Sequence, residues 1–403
     1  MKLIPISEGK YAEYRLNAIF DCYKWDPQFK DNNTLAKYVL AISNEEYLEL
    51  KKLTENLAKE TIAAEQYINK HLEIAKSLEL PKNLYNELKS MGNYDESKHI
   101  RLMRFDFHPT MDNCWAVSEV NSDVPGGFAE ASLLPQEAIN VLSGNNKYTY
   151  INFGNVLVET IASKVIPSGN IMLVHCTCFS DDRQVMQYLG DKLEKNGFNI
   201  IYGAADHIRF KNDIAYSVLD GNETKLDGIF RFNPLEWVIQ IKPKHWSGFF
   251  STLTTSCNHP IAMYAQTKRF PLIWNELEKR GLSLHTWRTL LPDTKEVKDV
   301  KFQEGYIYKP TCGRVGEKIS IKEACSKQEY EEILKDVKRH PNKYVAQKKF
   351  ISKPLTGVNN EEFHVCIGSY AVDGKHAGFY ARISETPRID SSAADIPVLV
   401  EGE

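Results

Sequence analysis

No stretch of this 403-residue sequence approaches the ~20 consecutive apolar residues that cross a bilayer, and Met1 to Gly9 hold no apolar core of the kind a secretory leader carries. Cytoplasm is therefore the expected compartment, with no membrane partner. Cysteine is sparse: the eight residues Cys22, Cys114, Cys176, Cys178, Cys257, Cys312, Cys325 and Cys366 are scattered, which excludes a disulfide-stapled scaffold and predicts reduced thiols. The one local concentration is His175-Cys176-Thr177-Cys178, a soft-metal pattern without a second Cys/His cluster at zinc-finger spacing, so structural or surface roles compete with it. A large excess of charge of either sign is missing as well. Lys and Arg number 50 against 53 Asp and Glu, a formal net charge of −3, so no broad nucleic-acid surface is expected. There is no internal repeat, low-complexity tract, Walker loop or dinucleotide fingerprint, and no Ser-His-Asp or Cys-His nucleophile.

What remains is 42% apolar and 26% charged, the balance of a globular chain long enough for two or three cores. Residues from about 34 to 92 read as helical. Ser43 with Glu46 makes a capping box, Leu50, Leu53, Leu57 and Ala64 form an apolar stripe, and Pro81 and Gly92 bracket a shorter helix. The period then drops to two in a hairpin over about 99–123. From about 152 the order helix (155–165), strand (170–175), helix (181–195), strand (198–202) predicts a parallel βαβ unit, followed by a strand at 226–232 and a helix from Ile261 to Arg280 ended by Gly281. The last hundred residues alternate strand (304–310), helix (319–339) and strand (344–350). They close on a hairpin, Phe363 to Val372 and Ala377 to Ile383, around Asp373-Gly374.

Alternation in the first hairpin predicts Ile100, Leu102, Arg104 and Asp106 on one face and Trp115, Val117, Glu119, Asn121 and Asp123 sharing a face of the partner strand. If the two faces coincide, one end is apolar and the other carries three carboxylates, an amide and an arginine. Buried carboxylates need a compensating charge, and an all-oxygen set suits Mg²⁺; a solvated face with cross-strand ion pairs explains the pattern too. Further on, Tyr306-Ile-Tyr-Lys309-Pro-Thr-Cys-Gly313-Arg314-Val-Gly316 is a strand ending in lysine, then a loop with glycines three apart. Such a loop lets backbone N–H groups approach phosphates, although a plain turn has the same signature. Lys268 and Arg382, taken alone, read as surface charges.

Together these segments resemble the synthetase domain of the glutathionylspermidine synthase family. The matching motifs are Arg104-Phe-Asp-Phe, Glu119-Val-Asn-Ser-Asp, Phe230-Arg-Phe-Asn-Pro-Leu-Glu236-Trp, Thr267-Lys268-Arg-Phe-Pro-Leu-Ile-Trp, Lys309-Pro-Thr-Cys-Gly-Arg314-Val-Gly and Gly378-Phe-Tyr-Ala-Arg382, in the family's order. The resemblance implies an ATP-grasp fold, α/β with an α+β lid. Helical residues and a metal-binding hairpin would occupy 1–150, a parallel α/β portion 151–260 and the nucleotide-binding lid 261–403. It also implies ATP and Mg²⁺, two ions, as cofactors, and a small-molecule or peptide carboxylate and an amine as substrates. Asp106, Glu119 and Asn121 match metal ligands, and Lys268 and Lys309 match the lysines that grip the nucleotide phosphates. Arg104 and Glu236 fall where relatives contact the carboxylate substrate, and Arg382 matches an arginine that stabilises developing negative charge. Gly313, Arg314 and Gly316 match a mobile loop over the phosphates, and Gln347 lies near the adenine-binding strand.

The implied reaction is ATP-dependent carboxylate–amine ligation through an acyl phosphate. It requires alignment and charge neutralisation rather than a protein nucleophile. Two departures bear on the substrate. Where relatives place serines that touch glutathione, this chain reads Ser122-Asp123-Val124-Pro125-Gly126-Gly127, and Val315 stands where an acidic residue is usual. Nothing in 1–95 has the Cys/His constellation of the N-terminal amidase that some relatives carry, and with the departures above glutathione and spermidine are not the expected substrates. A phosphotransferase using the same cleft, and a degenerate ATP-binding protein, are the alternative readings.

Overall fold

A computed structural model describes residues 1–91, 94–142, 147–300, 302–313, 316 and 318–402. Gly92 lies outside the described residues. The chain builds mixed α/β architecture from several sheets. The capping box forms as the sequence predicts: Glu46 N–H donates to Ser43 Oγ at 3.1 Å, and Ser43 N–H to Glu46 Oε2 at 2.9 Å. That cap starts a 27-residue helix, Asn44–Lys70, whose Leu50, Leu57 and Ala64 are buried and whose Leu53 packs against the same core. The expected helical stretch is interrupted just before it. Tyr38–Ile42 is a buried strand, because Val39-Leu40-Ala41-Ile42 is apolar on both faces and fits a two-sided core strand as well as a helix. It pairs with Lys2–Pro5 and Val398–Glu401, so the two ends of the chain share one four-stranded sheet.

The parallel unit is present. Asn170–Val174, Asn199–Gly203, Gly228–Arg231 and Thr255–Cys257 make a four-stranded parallel sheet, with helix Phe153–Lys164 before its first strand and helix Ser180–Lys195 between Asn170–Val174 and Asn199–Gly203. The helix expected over 261–280 is broken into short pieces. Met263–Gln266 ends where Thr267 turns extended (φ −71°, ψ 134°), and a 3₁₀ turn, Phe270–Ile273, carries Pro271 before Trp274–Lys279. Proline lacks the N–H that a continuous helix would use. Lys268 therefore stands in a loop, not on a helix. The expected 319–339 helix likewise begins later, at Lys327, where Ser326 Oγ caps Glu329 N–H at 3.1 Å.

The central sheet runs Ala394–Ile396, Lys375–Ser384, Glu362–Val372, Leu102–Pro109, Trp115–Asn121, with Leu355–Thr356 alongside. The Asn44–Lys70 helix covers one face, where Met103, Phe105 and Phe107 join its leucines in one core and Thr54 Oγ1 donates to Ser369 Oγ at 2.7 Å. A smaller antiparallel sheet, Thr294–Glu296, Tyr344–Lys348 and Tyr306–Pro310, packs on helix Lys327–Arg339 around its own cluster of Val297, Val300, Tyr308, Ile333, Val337, Tyr344 and Ala346. No described helix is long and apolar enough to cross a membrane.

Candidate active site

The first hairpin decides where the site lies. Arg104 pairs with Asn121 and Phe105 with Val120, but Phe107 pairs with Val117 and Pro109 with Trp115, so two residues, Ser118 and Glu119, oppose Asp106. This extra residue overturns the expected single face of the second strand. Trp115 and Val117 turn with Phe107 into the apolar core, while Glu119 and Asn121 turn with Arg104 and Asp106 to the opposite side. Asp123 also leaves the expected cluster. It is buried, ion-paired with Arg231, and accepts Leu235 N–H at 2.8 Å.

On that opposite side is a cavity of about 720 Å³, walled by both the central and the small sheet. Arg104, Asp106, Glu119, Asn121, Lys309, Gly316 and Arg382 all line it. Arg104 grips Asp106 with Nε to Oδ1 at 2.8 Å and Nη2 to Oδ2 at 3.1 Å, and Asn121 Nδ2 donates to Asp106 Oδ2 at 3.1 Å. Burial works against the Arg104 cation, but Asp106 more than offsets it and raises its pKa well above the ordinary value. The side chain can lie flat because its neighbour is Gly368, where a Cβ would stand 2.6 Å from Arg104 Cδ. Across the sheet, Cys366 pairs with Arg382 and Arg382 with Asp395, and the Arg104 guanidinium lies 5.0 Å from the Tyr380 ring centroid.

The small sheet and the loop at Lys268 supply two lysines. Lys309 ends its strand, 4% exposed, and Nζ donates to Ser118 O at 3.2 Å, across the cavity wall onto the acidic hairpin. Burial, with Lys268, pushes the Lys309 ammonium down to about 8 against the pull of Glu119 and Asp106. Lys268 lies beside the cavity. Its Nζ pairs with Glu119 at 2.8 Å and donates to Gly313 O at 2.9 Å, and its N–H donates to Thr311 O at 3.0 Å, so the loop after Lys309 is tied to the acidic strand. Burial opposes the Glu119 anion, yet Lys268 and Lys309 hold its carboxyl below the usual range. Gly316 has φ +66° and sits so close to Ile389 O that a Cβ would be 2.6 Å away, so only glycine fits there. Arg314 and Val315 lie outside the described residues.

Gln347 pairs directly with Ile307, which lines the cavity, so both are on its side of the small sheet. Gln347 Nε2 donates to Thr294 Oγ1 at 3.1 Å, while its buried Oε1 has no hydrogen-bond partner among the described residues. Glu236, on the Leu235–Val238 turn, is not among the cavity-lining residues, although Phe232 four positions earlier is.

The far end of the cavity holds residues that no motif announced. Lys24, 2% exposed, reaches Asp26 and Asp395 at 2.6 Å and Glu130 at 3.5 Å. Burial disfavours its charge, but the carboxylates together raise its pKa well above the ordinary value. Gln184 Nε2 holds Glu130 Oε1 at 2.9 Å, and Asp181 and Asp182 line the same end. The Ser122–Gly127 segment is also turned away from serine-based recognition. Ser122 Oγ is enclosed with Arg101 and Glu65, leaving Val124, Gly126 and Gly127 on the wall.

The profile of the glutathionylspermidine synthase preATP-grasp family matches residues 20–401. The chain belongs to this family. Its members are ATP-dependent synthetases, and this glutathionylspermidine synthase-like chain is a ligase-type protein of that group. A comparison with curated proteins finds no match. Among solved structures, a glutathione synthetase-like effector from Globodera pallida, in its apo form, aligns with TM-score 0.64 and 12% identity over 97% of each chain, which establishes a shared fold. A gamma-glutamylcysteine synthetase-like protein from Methylobacillus flagellatus KT aligns at TM-score 0.43 and 11% identity, over 86% of this chain and 87% of that one.

Whether the hairpin fits Mg²⁺ can be tested on its donors. Among the described residues no group of three His, Cys, Asp or Glu side chains is placed to hold a metal. Two carboxylates and an amide on adjacent strands, facing the cavity, nevertheless match an ion that takes one or two carboxylates and completes its octahedron with water and phosphate oxygens. The set fits magnesium held jointly with a polyphosphate, not a cage built by protein alone.

Proposed function

We propose that this protein is an ADP-forming carboxylate–amine ligase, in which ATP phosphorylates a peptide or amino-acid carboxylate and an amine displaces the phosphate. The observation that carries this reading is the convergence of Asp106, Glu119, Asn121 and Lys309 on one cavity that also receives Arg104 and Arg382, with Lys268 beside it and paired to Glu119. A binding module has no need of so dense a set of opposite charges.

In this reading the small sheet is the lid and the triphosphate lies between it and the acidic hairpin. Lys309 and Lys268 neutralise phosphate oxygens, and the backbone around Gly313 and Gly316 approaches them closely. Asp106, Glu119 and Asn121 would hold Mg²⁺, which, when bound, would spread the charge of the transferring phosphoryl group. The free acceptor at Gln347 Oε1 suits the exocyclic amine of adenine. Arg104 orients the carboxylate for in-line attack, and Arg382 faces the position where negative charge grows as the acyl carbon becomes tetrahedral. The carboxylates at the far end complement a cationic amine on its way to the acyl phosphate.

The experiment is hydroxamate formation. ATP, Mg²⁺ and hydroxylamine are incubated with a panel of amino acids and short peptides, and ADP is measured in parallel. Carboxylate-dependent hydroxamate with stoichiometric ADP is expected. AMP and pyrophosphate would sink the reading, and a stable phosphorylated product without hydroxamate would favour phosphotransfer.

A further inference from the structure

The His175-Cys176-Thr177-Cys178 segment is unused by the chemistry above. It links the parallel strand Asn170–Val174 to helix Ser180–Lys195, and this placement gives it a consequence. The two sulfurs lie 3.3 Å apart, with Cys178 exposed and Cys176 half-buried, within reach of small solutes. His175 does not complete a metal site: its Nδ1 rests on Leu173 O at 3.2 Å, and no described group of three His, Cys, Asp or Glu is placed to hold an ion.

We propose that Cys176 and Cys178 form an oxidisable dithiol, closed by a low-molecular-weight disulfide, whose state sets the position of the helix that walls the acidic end of the cavity. A disulfide bond is about 2.05 Å long, so the sulfurs need approach by only roughly 1.3 Å. The thiolate of Cys178 attacks one sulfur of the small disulfide, and one small thiolate leaves. Cys176 then loses its proton to water, attacks the Cys178 sulfur of the mixed disulfide and expels the second thiolate. Two cysteine sulfurs are oxidised and one small disulfide is reduced to two thiols. Burial and the contact with Cys178 push the Cys176 thiol up, which makes Cys176 the second to react. A ring closed over so short a segment removes little chain entropy, and exposed strained disulfides are the readily reduced ones. The bond is thus suited to reversible sensing rather than to stapling the fold.

The loop is wired to the cavity. Phe179 N–H donates to Cys176 O at 3.0 Å, and Arg183 N–H to Phe179 O at 3.1 Å, so any shift of Cys176 acts on the first turn of the helix. Asp181, Asp182, Gln184 and Val185 of that helix line the cavity, and Gln184 fixes Glu130. The proposal does not rest on the ligase reading, because its readouts are thiols and amide protons.

The full-length protein is equilibrated in mixtures of reduced and oxidised glutathione, quenched with acid, alkylated and mapped by mass spectrometry, with amide exchange followed on the same samples. Cys176 and Cys178 should disappear together from the alkylatable thiols and reappear in one internally linked peptide that dithiothreitol releases. In Cys176→Ser or Cys178→Ser the surviving thiol should carry glutathione instead. Exchange across 180–185 should quicken on oxidation and should not respond in the double serine variant. If the two thiols stay independently alkylatable, or both end as glutathione adducts, the site is overturned. A disulfide that leaves exchange at 180–185 unchanged overturns the coupling to the helix.

Discussion

Nucleotide affinity should fall steeply as pH rises above about 8, and Lys309 should be the cause. Its ammonium is buried between the two sheets, and burial, the larger effect, together with Lys268, brings its pKa to about 8. Such a group is roughly nine-tenths charged at pH 7 and about one-tenth at pH 9. If the triphosphate binds only the cationic form, Kd rises about tenfold, or ~1.4 kcal/mol, for each pH unit above that pKa. The rise continues until the higher pKa of the complex is reached, since bound phosphate favours the cation. Arginine stays protonated throughout, so Lys309→Arg should bind more weakly at pH 7, where the strand end is shaped for lysine, but with a flat profile. Glu119→Gln removes a charge that raises the Lys309 pKa, so the onset should move to lower pH. Titration calorimetry with Mg²⁺ and a non-hydrolysable ATP analogue from pH 7 to 10 measures all three. A wild-type Kd that does not change over that range, or an equal slope in Lys309→Arg, would refute the reasoning.

Arg382→Ala should lower kcat by about 10²–10³ with little change in nucleotide Kd, because its partner develops only during reaction; equal losses in both would make it a ground-state contact. Asp106→Asn leaves the buried Arg104 cation uncompensated and should cost roughly 3–5 kcal/mol in urea titrations, and an unchanged midpoint would show that Arg104 finds another partner. Gly368→Ala places a methyl 2.6 Å from Arg104 Cδ, so a stability loss of about 1–3 kcal/mol and reduced turnover should appear together. Ser43→Ala removes one half of the capping box and should cost about 1 kcal/mol in thermal melts without altering nucleotide binding.

Several elements could be read directly because their causes are local. Ser43 and Glu46 are three residues apart, the Asp373-Gly374 turn adopts positive φ at both positions, and the helix–strand alternation after residue 152 repeats a short unit. Tyr38–Ile42 was hidden because a strand buried on both faces has no alternation to display. The bulge opposite Asp106 was hidden because a pattern of strict alternation contains no place for an extra residue, and its insertion moved Trp115 and Val117 to the core. Of the residues around the cavity, Asp106, Glu119, Lys309 and Arg382 fall in compact motifs, and the fold brings them together. Lys24, Glu130 and Asp395 come from distant parts of the chain, and only the folded sheet makes them neighbours. Lysine and acids spread so widely carry no spacing signal.

The separate apolar cluster of the small sheet has a dynamic consequence. Because Val297, Ile333, Val337 and their neighbours form a nucleus of their own, the lid role proposed above would let this unit swing as a shutter without disturbing the main core. Its ties to the rest of the chain include the polar contacts of Lys309 with Ser118, Lys268 with Gly313, Arg269 with Glu296 and Arg388 with Glu329. A ligand spanning both walls would latch the shutter, and its residence time would be written in how rarely those contacts let go.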